Sequence, residues 1–344
     1  MIRQAIVLVG GLGTRLGPLT KETPKPLLNV GGQPFLARLL GELVRQGVAD
    51  ILLLAGFRGE QIEALSAQVP NARVIVEPEP LGTGGALKFS QSELAEQFFL
   101  LNGDSLFDIN LWDLAEFAGA GNAIALRAVD DVSRFGPAVL EGDLITRFSE
   151  REERARPGLI NGGVSILSRR TLDLVPPNVP VSLEAKVYPS LAANGQLRGR
   201  RYDRPFLDIG VPEDFARAQS WVPRVLDRPG VVFELDDTLD RLTADAVHWR
   251  PGAVARIKAV NDAGLLALVE APGGALRPDH LSIFNADLTQ RGAHLDGWMA
   301  RDGRMTRDHL QAAAPAFAAP PQVMRWSEVG DASRLASHPG PDPQ

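Results

Sequence analysis

The stretch from Ile6 to Val30 carries the densest set of groups that could do chemistry. Gly10, Gly11 and Gly13 precede Thr14 and Arg15, and Lys25 stands between Pro24 and Pro26. Glycines that follow a strand let main-chain N–H groups crowd around an anion. Prolines on both sides of a lysine fix its backbone, so its charge arrives at a defined place for little entropy. Two familiar glycine loops are excluded by spacing. A dinucleotide-binding loop needs a third glycine where Leu16 stands and an acidic residue closing the next strand, where Ala55 and Gly56 stand. A P-loop needs Gly-Lys-Ser/Thr where Gly10 is followed by Arg15 and Leu16. N–H donors with two cations remain, and that set suits a triphosphate. Further on, Asn102-Gly103-Asp104-Ser105 ends an apolar run. A carboxylate at the end of a central strand, beside a glycine, is placed for a Mg²⁺ that bridges phosphates; the alternative for Asn-Gly-Asp is an ordinary turn.

The elements that must position these groups alternate. Apolar runs at Ile6–Val9, Ile51–Leu54, Ala72–Val76 and Phe98–Leu101 read as buried strands, and Phe35–Gln46 and Glu60–Gln68 between them carry helical periodicity. Such alternation predicts an α/β fold with a doubly wound, mainly parallel sheet, whose ligand lies beyond the strand C-termini, where Gly10, Glu77 and Asp104 fall. From Ala123 to Phe148 short strands separated by Gly and Asp read as antiparallel additions. With 344 residues, 44% of them apolar, the chain is long enough for two domains. The net charge of −6 comes without a basic block, which argues against nucleic acid. No apolar run reaches membrane-spanning length, so a soluble, cytoplasmic chain is expected. Without cysteine there are no disulfides and no thiol chemistry, and the five histidines, of which His248 is the first, keep no metal-ligand spacing.

The opening Gly-Gly-x-Gly-Thr-Arg-Leu and the following Thr-Pro-Lys-Pro-Leu resemble the signature of the sugar-phosphate nucleotidyltransferases, enzymes that join a nucleoside triphosphate to a sugar 1-phosphate. The likeness runs from the N-terminus to about Trp221. It implies a Rossmann-like, GT-A-like nucleotidyltransferase sheet, with Arg15 and Lys25 as catalytic cations and Asp104 and Asp208 as the two ligands of a Mg²⁺. It also implies that the glycine loop, Thr14, Glu77, Gly82 and Thr83 bind the nucleotide. Guanine presents two adjacent donors, N1–H and N2–H₂, and a carboxylate accepts both, so Glu77 favours GTP; as a plain loop residue it would be a solvated charge. Gly82, Gly84 and Gly85 would let the backbone approach ribose and base. For the sugar phosphate the resemblance points to Glu150-Arg151, where family members carry Glu-Lys, to the Asn161-Gly162-Gly163 turn before the strand Val164–Leu167, and to Glu184, whose alternative is helix capping. Within the family, Leu81–Leu87 and Leu101–Ile109 are most similar to guanylyltransferases for D-glycero-α-D-manno-heptose 1-phosphate, then to those for mannose 1-phosphate, with UTP- and dTTP-using enzymes after them. A regulatory subunit that binds a nucleotide sugar without catalysis is the alternative from another class.

Beyond residue 226 a second, smaller α/β unit is expected, with a strand over Gly230–Leu235, a helix over Gly252–Asp262 and a strand over Leu265–Val269. Its Val-Phe-Glu-Leu-Asp-Asp-Thr-Leu resembles the first motif of haloacid-dehalogenase-type phosphatases, those for heptose bisphosphates in particular. That motif needs Asp where Glu234 stands. Glu270 replaces an expected Thr, and Val329-Gly330-Asp331 lacks its second carboxylate, with Leu335 in that place. The expected division is a nucleotidyltransferase domain over 1–222, a degenerate phosphatase-like domain over 226–336 and a disordered tail over 337–344, with Ala312–Pro321 a loop. A homo-oligomer is left open.

Overall fold

The computed structural model describes residues 2–11, 13–69, 71–150, 152–226, 230–242, 247–262, 265–271, 278–291, 293–300 and 323–325. Strand β1 (Gln4–Leu8) is the spine of the N-terminal unit. Its side chains alternate across the sheet: Ala5 and Val7 enter one core, Ile6 the other, and all three are fully buried. A loop and a small hairpin, β2 (Asn29–Val30) and β3 (Gln33–Pro34), lead to helix α1 (Phe35–Arg45). The alternation continues through β4 (Asp50–Ala55), α2 (Gly59–Ser66), β5 (Ala72–Val76), α3 (Gly82–Phe89) and β6 (Gln97–Asn102). β5, β4, β1 and β6 lie side by side, all parallel.

After β6 come β7 (Ser105–Phe107), α4 (Leu111–Ala118), β8 (Asn122–Val129), β9 (Pro137–Glu141), β10 (Leu144–Phe148) and the long β11 (Gly158–Ser168). Then follow α5 (Tyr188–Ala193), β12 (Leu197–Arg201), β13 (Phe206–Asp208) and α6 (Pro212–Leu226). The complete sheet has nine strands in the order β5-β4-β1-β6-β11-β8-β12-β10-β9. It is mixed, which corrects the expectation of a mainly parallel sheet. β11 runs antiparallel to β6 and β8, and β10 antiparallel to β12 and β9; only β8 and β12 are parallel in this half. Between β9 and β10 the cause is local: Gly142 and Asp143 join them, a connection too short for the crossover that parallel strands need. The sheet is wound on both faces. α1, α2 and α4 cover one core through Leu40, Ile62 and Trp112, and α3 and α5 cover the other through Leu87 and Leu191. α6 runs to Leu226 and packs Val222, Val225 and Leu226 against Val30 and Phe35.

The C-terminal unit comprises β14 (Gly230–Glu234), α7 (Leu235–Thr238), the hairpin β15 (Leu239–Leu242) and β16 (Val247–Trp249), α8 (Ala253–Asp262), β17 (Leu266–Ala271), α9 (Pro278–Thr289), β18 (Gly297–Ala300) and β19 (Val323–Arg325). Four of its strands form a parallel sheet in the order β18-β17-β14-β19 over a core of Val231, Phe233, Ile257 and Phe284. The two strands and the helix expected from the sequence are present within two residues of their expected ends. Ala312–Pro321, Val329-Gly330-Asp331, Leu335 and the tail lie outside the described residues. No helix among the described residues is long and apolar enough to cross a membrane.

A buried ion cluster joins the two units. Arg45, at the end of α1, pairs with Glu42 and donates to Asp296, 2.7 Å to its carbonyl and 3.0 Å to Oδ1. The other Asp296 oxygen accepts from the Ala267 N–H at 2.8 Å, so the clamp reaches β17. Burial opposes the Arg45 charge, but Glu42, Asp296 and Asp108 outweigh it and hold the guanidinium above its ordinary range. Arg45→Met takes from two buried carboxylates the guanidinium they share and is expected to lower the stability by about 3–5 kcal/mol in urea unfolding. A loss under about 1 kcal/mol would show that the cluster does not hold the units together.

Candidate active site

The loop after β1 is shaped by its neighbours. A side chain at Gly10 would stand 3.0 Å from Glu77 Oε1 and 3.2 Å from the Gly56 nitrogen, so these chains pass closely and a larger residue would have to push Glu77 or the Gly56 main chain aside. Gly13 has φ 61°, in the left-handed region that favours glycine, and it caps a tight helical turn over Thr14–Thr20. The Thr20 hydroxyl lies 3.1 Å from the Gly13 carbonyl and ties the turn back to its start. Leu16 is buried and anchors the segment, while Thr14 and Arg15, between Gly13 and Leu16, remain exposed. The turn at Pro24–Leu28 then buries Lys25 to 6% exposure.

Lys25 Nζ donates to Asp104 Oδ2 at 2.5 Å and stands 3.8 Å from Asp208 Oδ1. Asp104 follows β6, and Asp208 ends β13. The two meet because β7 and β13 pair antiparallel, with Ser105 opposite Asp208. The Ile209 N–H donates to the Asp104 carbonyl at 3.0 Å and closes the junction. The Ser105 hydroxyl lies 3.2 Å from Asp104 Oδ1 and 3.4 Å from Asp208 Oδ2, between the carboxylates. Burial and the Asp104 charge push the Asp208 carboxyl up, against the pull of Lys25, the Gly210 N–H and Arg15. A Cβ at Gly210 would stand 2.5 Å from Asp208 Oδ1 and 3.1 Å from Lys25 Nζ. Ser105 and Gly210 therefore belong to the site, although nothing in the sequence singled them out; the Asp208-Ile209-Gly210 spacing was the available signal.

Above this cluster opens a cleft of about 430 Å³. The glycine loop, Thr14, Arg15 and Lys25 line it, together with Glu77, Gly82 and Thr83, and with Asp104 and Glu184. The residues expected to handle nucleotide and metal thus share one space, with Asp208 adjoining through Lys25 and Ser105. Burial pushes the Glu77 carboxyl up, partly opposed by the Leu81 N–H, which donates to Oε2 at 3.1 Å. Gly82, Gly84 and Gly85 have a further reason to be glycine beside the one expected. A Cβ at each would press on the chain at 179–181, at 2.8 Å from the Val181 carbonyl for Gly82 and 3.0 Å from the Val179 carbonyl for Gly85. Their N-terminal turn is laced to that segment by Gly84 N–H to Val181 O at 2.8 Å and Val181 N–H to Leu81 O at 2.9 Å.

The acceptor-side residues are less gathered. Glu184 lines the cleft, but Glu150, Asn161 and Gly162 are not part of its lining, and Arg151 lies outside the described residues. Asn161-Gly162-Gly163 is not a turn ahead of a strand. It is a register shift within β11, where Asn161 Oδ1 accepts from the Gly163 N–H at 2.9 Å. Gly162 faces the Phe107 ring, which a Cβ would meet at 2.3 Å. Glu150 is exposed and accepts from the Ser182 hydroxyl at 3.0 Å. Ser182 caps the helical turn Leu183–Val187 by accepting from the Ala185 N–H at 3.1 Å, so capping belongs to Ser182, not to Glu184.

Among the described residues no three of His, Cys, Asp and Glu converge on one point. Asp104 and Asp208 offer hard oxygens but only part of the shell of a Mg²⁺. Phosphates and water would complete it, as this ion prefers.

Among curated proteins, the mannose-1-phosphate guanyltransferase of Schizosaccharomyces pombe is 36% identical over 226 residues, 62% of this chain. This chain spans only 62% of that relative's length. The D-glycero-alpha-D-manno-heptose 1-phosphate guanylyltransferase of Campylobacter jejuni is 35% identical over 222 residues, which cover 62% of this chain and 96% of that one. Among solved structures, HddC from Yersinia pseudotuberculosis complexed with GMP-PN superposes with a TM-score of 0.57 at 31% identity, covering 63% of this chain and 98% of that one. The match to the family described as nucleotidyl transferase extends over residues 4–224, from the first strand through nearly all of α6. With the glycine loop, Lys25 and the paired aspartates all inside that span, the chain belongs to the nucleotidyl transferase family.

Proposed function

We propose that this chain joins GTP to a sugar 1-phosphate, with D-glycero-α-D-manno-heptose 1-phosphate as the acceptor, and releases pyrophosphate. The observation that carries the reading is the meeting of Lys25, Asp104 and Asp208 at a cleft lined by the glycine loop and Arg15. Two further points support the base and the sugar. A relative of the same fold was crystallised with GMP-PN, and the heptose enzyme of Campylobacter is covered almost end to end, whereas the mannose enzyme is covered over 62% of its length.

In this reading a phosphate oxygen of the sugar 1-phosphate attacks the α-phosphorus in line as the bond to pyrophosphate breaks. The second pKa of a phosphate monoester lies near ~6, so the nucleophile is largely ionised at neutral pH. No side chain has to take a proton. The obstacle is the approach of two polyanions. The loop N–H groups and Arg15 hold the triphosphate, and Lys25 offers its ammonium from a buried, fixed position. Asp104 and Asp208 would hold a Mg²⁺, which would supply charge neutralisation at the phosphates.

The test is pyrophosphate release with Mg²⁺ across GTP, UTP, dTTP and CTP, each with heptose, mannose and glucose 1-phosphates. Turnover led by GTP with the heptose is expected. Turnover led by mannose 1-phosphate, or by UTP or dTTP, would replace the substrate assignment. Silence throughout, with nucleotide still bound, would favour a non-catalytic binding subunit.

For the C-terminal unit we propose a phosphatase-like fold that has lost its chemistry. The supporting observation is that Glu234, the last residue of β14, pairs in parallel register with Glu270 near the end of β17, so two acidic residues lie side by side where a phosphate would have to approach. Phosphate release from sugar bisphosphates is expected to stay at background; measurable release would return the unit to the phosphatases.

A further inference from the structure

We propose that Thr83 is a positioning residue for the sugar 1-phosphate, acting through Glu184, so that the first turn of α3 holds the carboxylate that receives the sugar's hydroxyls. The inference rests on the guanylyltransferase reading and deepens it. From the sequence Thr83 falls among nucleotide contacts, yet in the structure its hydroxyl is engaged elsewhere. It donates to Glu184 Oε2 at 3.0 Å and accepts from the Leu183 N–H at 2.8 Å. A hydroxyl has one hydrogen, and this one is committed.

Apart from Thr83, the Glu184 carboxylate is restrained by its own main-chain N–H and by Ser182. The Ser182 hydroxyl lies 3.2 Å from the same oxygen, but it also lies 3.0 Å from Glu150 Oε1 and has a single hydrogen to share between them. No side chain among the described residues engages the other Glu184 oxygen, and the residue lines the cleft. A carboxylate with one oxygen that no other side chain engages is suited to accept from the vicinal hydroxyls of a sugar. Held loosely, the same group would lose rotamer freedom on binding and would leave that oxygen misplaced.

The main chain around Thr83 is secured independently. Gly84 N–H to Val181 O and Val181 N–H to Leu81 O bind α3 to the segment before Ser182 without the hydroxyl. Removing it should free Glu184 and leave α3 in place.

The experiment measures equilibrium binding of D-glycero-α-D-manno-heptose 1-phosphate with a non-hydrolysable GTP analogue present, and of the analogue alone, for wild type, Thr83→Val and Thr83→Ser. Thr83→Val is expected to weaken the sugar phosphate about tenfold or more, the loss of a hydrogen bond to a charged group, and to shift the analogue by less than about twofold. Thr83→Ser should restore the sugar phosphate to within about threefold. In a Glu184→Ala background the valine should add little, because that change already removes the carboxylate that the Thr83 hydroxyl positions. Thr83→Ala, read in the same way, stands in should the valine variant fail to fold. Weakened analogue binding with unchanged sugar-phosphate binding would return Thr83 to the nucleotide and overturn the proposal, as would independent effects in the double variant. A wild-type chain that binds the sugar phosphate without turning it over would sink only the guanylyltransferase reading, since the binding ratios still judge Thr83. A wild-type chain that binds none overturns both.

Discussion

Asp104→Asn is expected to cut pyrophosphate release from GTP and the sugar 1-phosphate by roughly 10²- to 10³-fold at saturating substrates. The substitution keeps the shape of the side chain and changes the charge of the cluster. Two carboxylates and one ammonium, Asp104, Asp208 and Lys25, now sum to −1 and draw a divalent cation. With asparagine the sum is zero, and the lysine, buried to 6% exposure, turns to Asp208 as its only remaining carboxylate in the cluster. The cation then has to displace that lysine from its one counter-charge, with one fewer oxygen to receive it. Raising Mg²⁺ should recover part of the rate, because the loss lies in cation binding as well as in turnover. The measurement is the steady-state rate against Mg²⁺ concentration, alongside binding of the GTP analogue without metal, which should persist. A rate within about fivefold of wild type at every Mg²⁺ concentration would remove Asp104 from the chemistry.

How much of this was legible in the chain depends on the distance over which each fact is decided. Ala72–Val76 could be read to the residue, because a strand bounded by turn residues is a local pattern. The same holds for the loop from Gly10 to Lys25, whose shape follows from the glycines and prolines within it. The switch from a parallel to a mixed sheet was legible in part: the short strands from Ala123 to Phe148 read as antiparallel additions, but the reversal of β11 beside β6 did not show, since an apolar run reports that a strand is buried and not which neighbour buries it. Ser105 was hidden for a related reason. Its place between two carboxylates comes from pairing with a strand 103 residues away, and nothing beside it announces that partner. Gly82, Gly84 and Gly85 were correctly seen as points of close approach, but a glycine reveals only that something comes near. Here that something is the chain at Val179–Val181. Asn161 misled because Asn-Gly-Gly is turn chemistry, whereas a register shift inside β11 uses the same residues to accommodate an irregular pairing.

Glu77→Gln is expected to lower kcat/KM for GTP by about 10- to 10²-fold and to move the ratio of GTP to UTP use towards UTP. The carboxylate is held with one oxygen accepting the Leu81 N–H at 3.1 Å, and the other lies where Cβ atoms at Gly10 and Gly56 would stand 3.0 and 2.7 Å away. An oxygen that already accepts one N–H keeps a second lone pair, so both oxygens can still receive the two adjacent donors of guanine. An amide cannot do all of this. Whichever way it is turned, its NH₂ faces either the Leu81 N–H or a guanine donor, and one donor is left opposite another. Uracil presents a single N–H between two carbonyls, which an amide can meet. The pH dependence follows from the same group. Burial raises the Glu77 carboxyl above the ordinary range, partly opposed by Leu81, and the ionised form is the one that accepts twice. GTP affinity should therefore be complete above the raised value and fade as the pH falls through it, earlier on acidification than an ordinary carboxylate would require. With glutamine this limb of the profile should vanish, because no proton can be taken up at that position. The measurement is KM for GTP and for UTP against pH in both proteins. If the GTP to UTP ratio and the acid limb are the same in the two, Glu77 holds the loop at 77–81 through Leu81 and does not read the base.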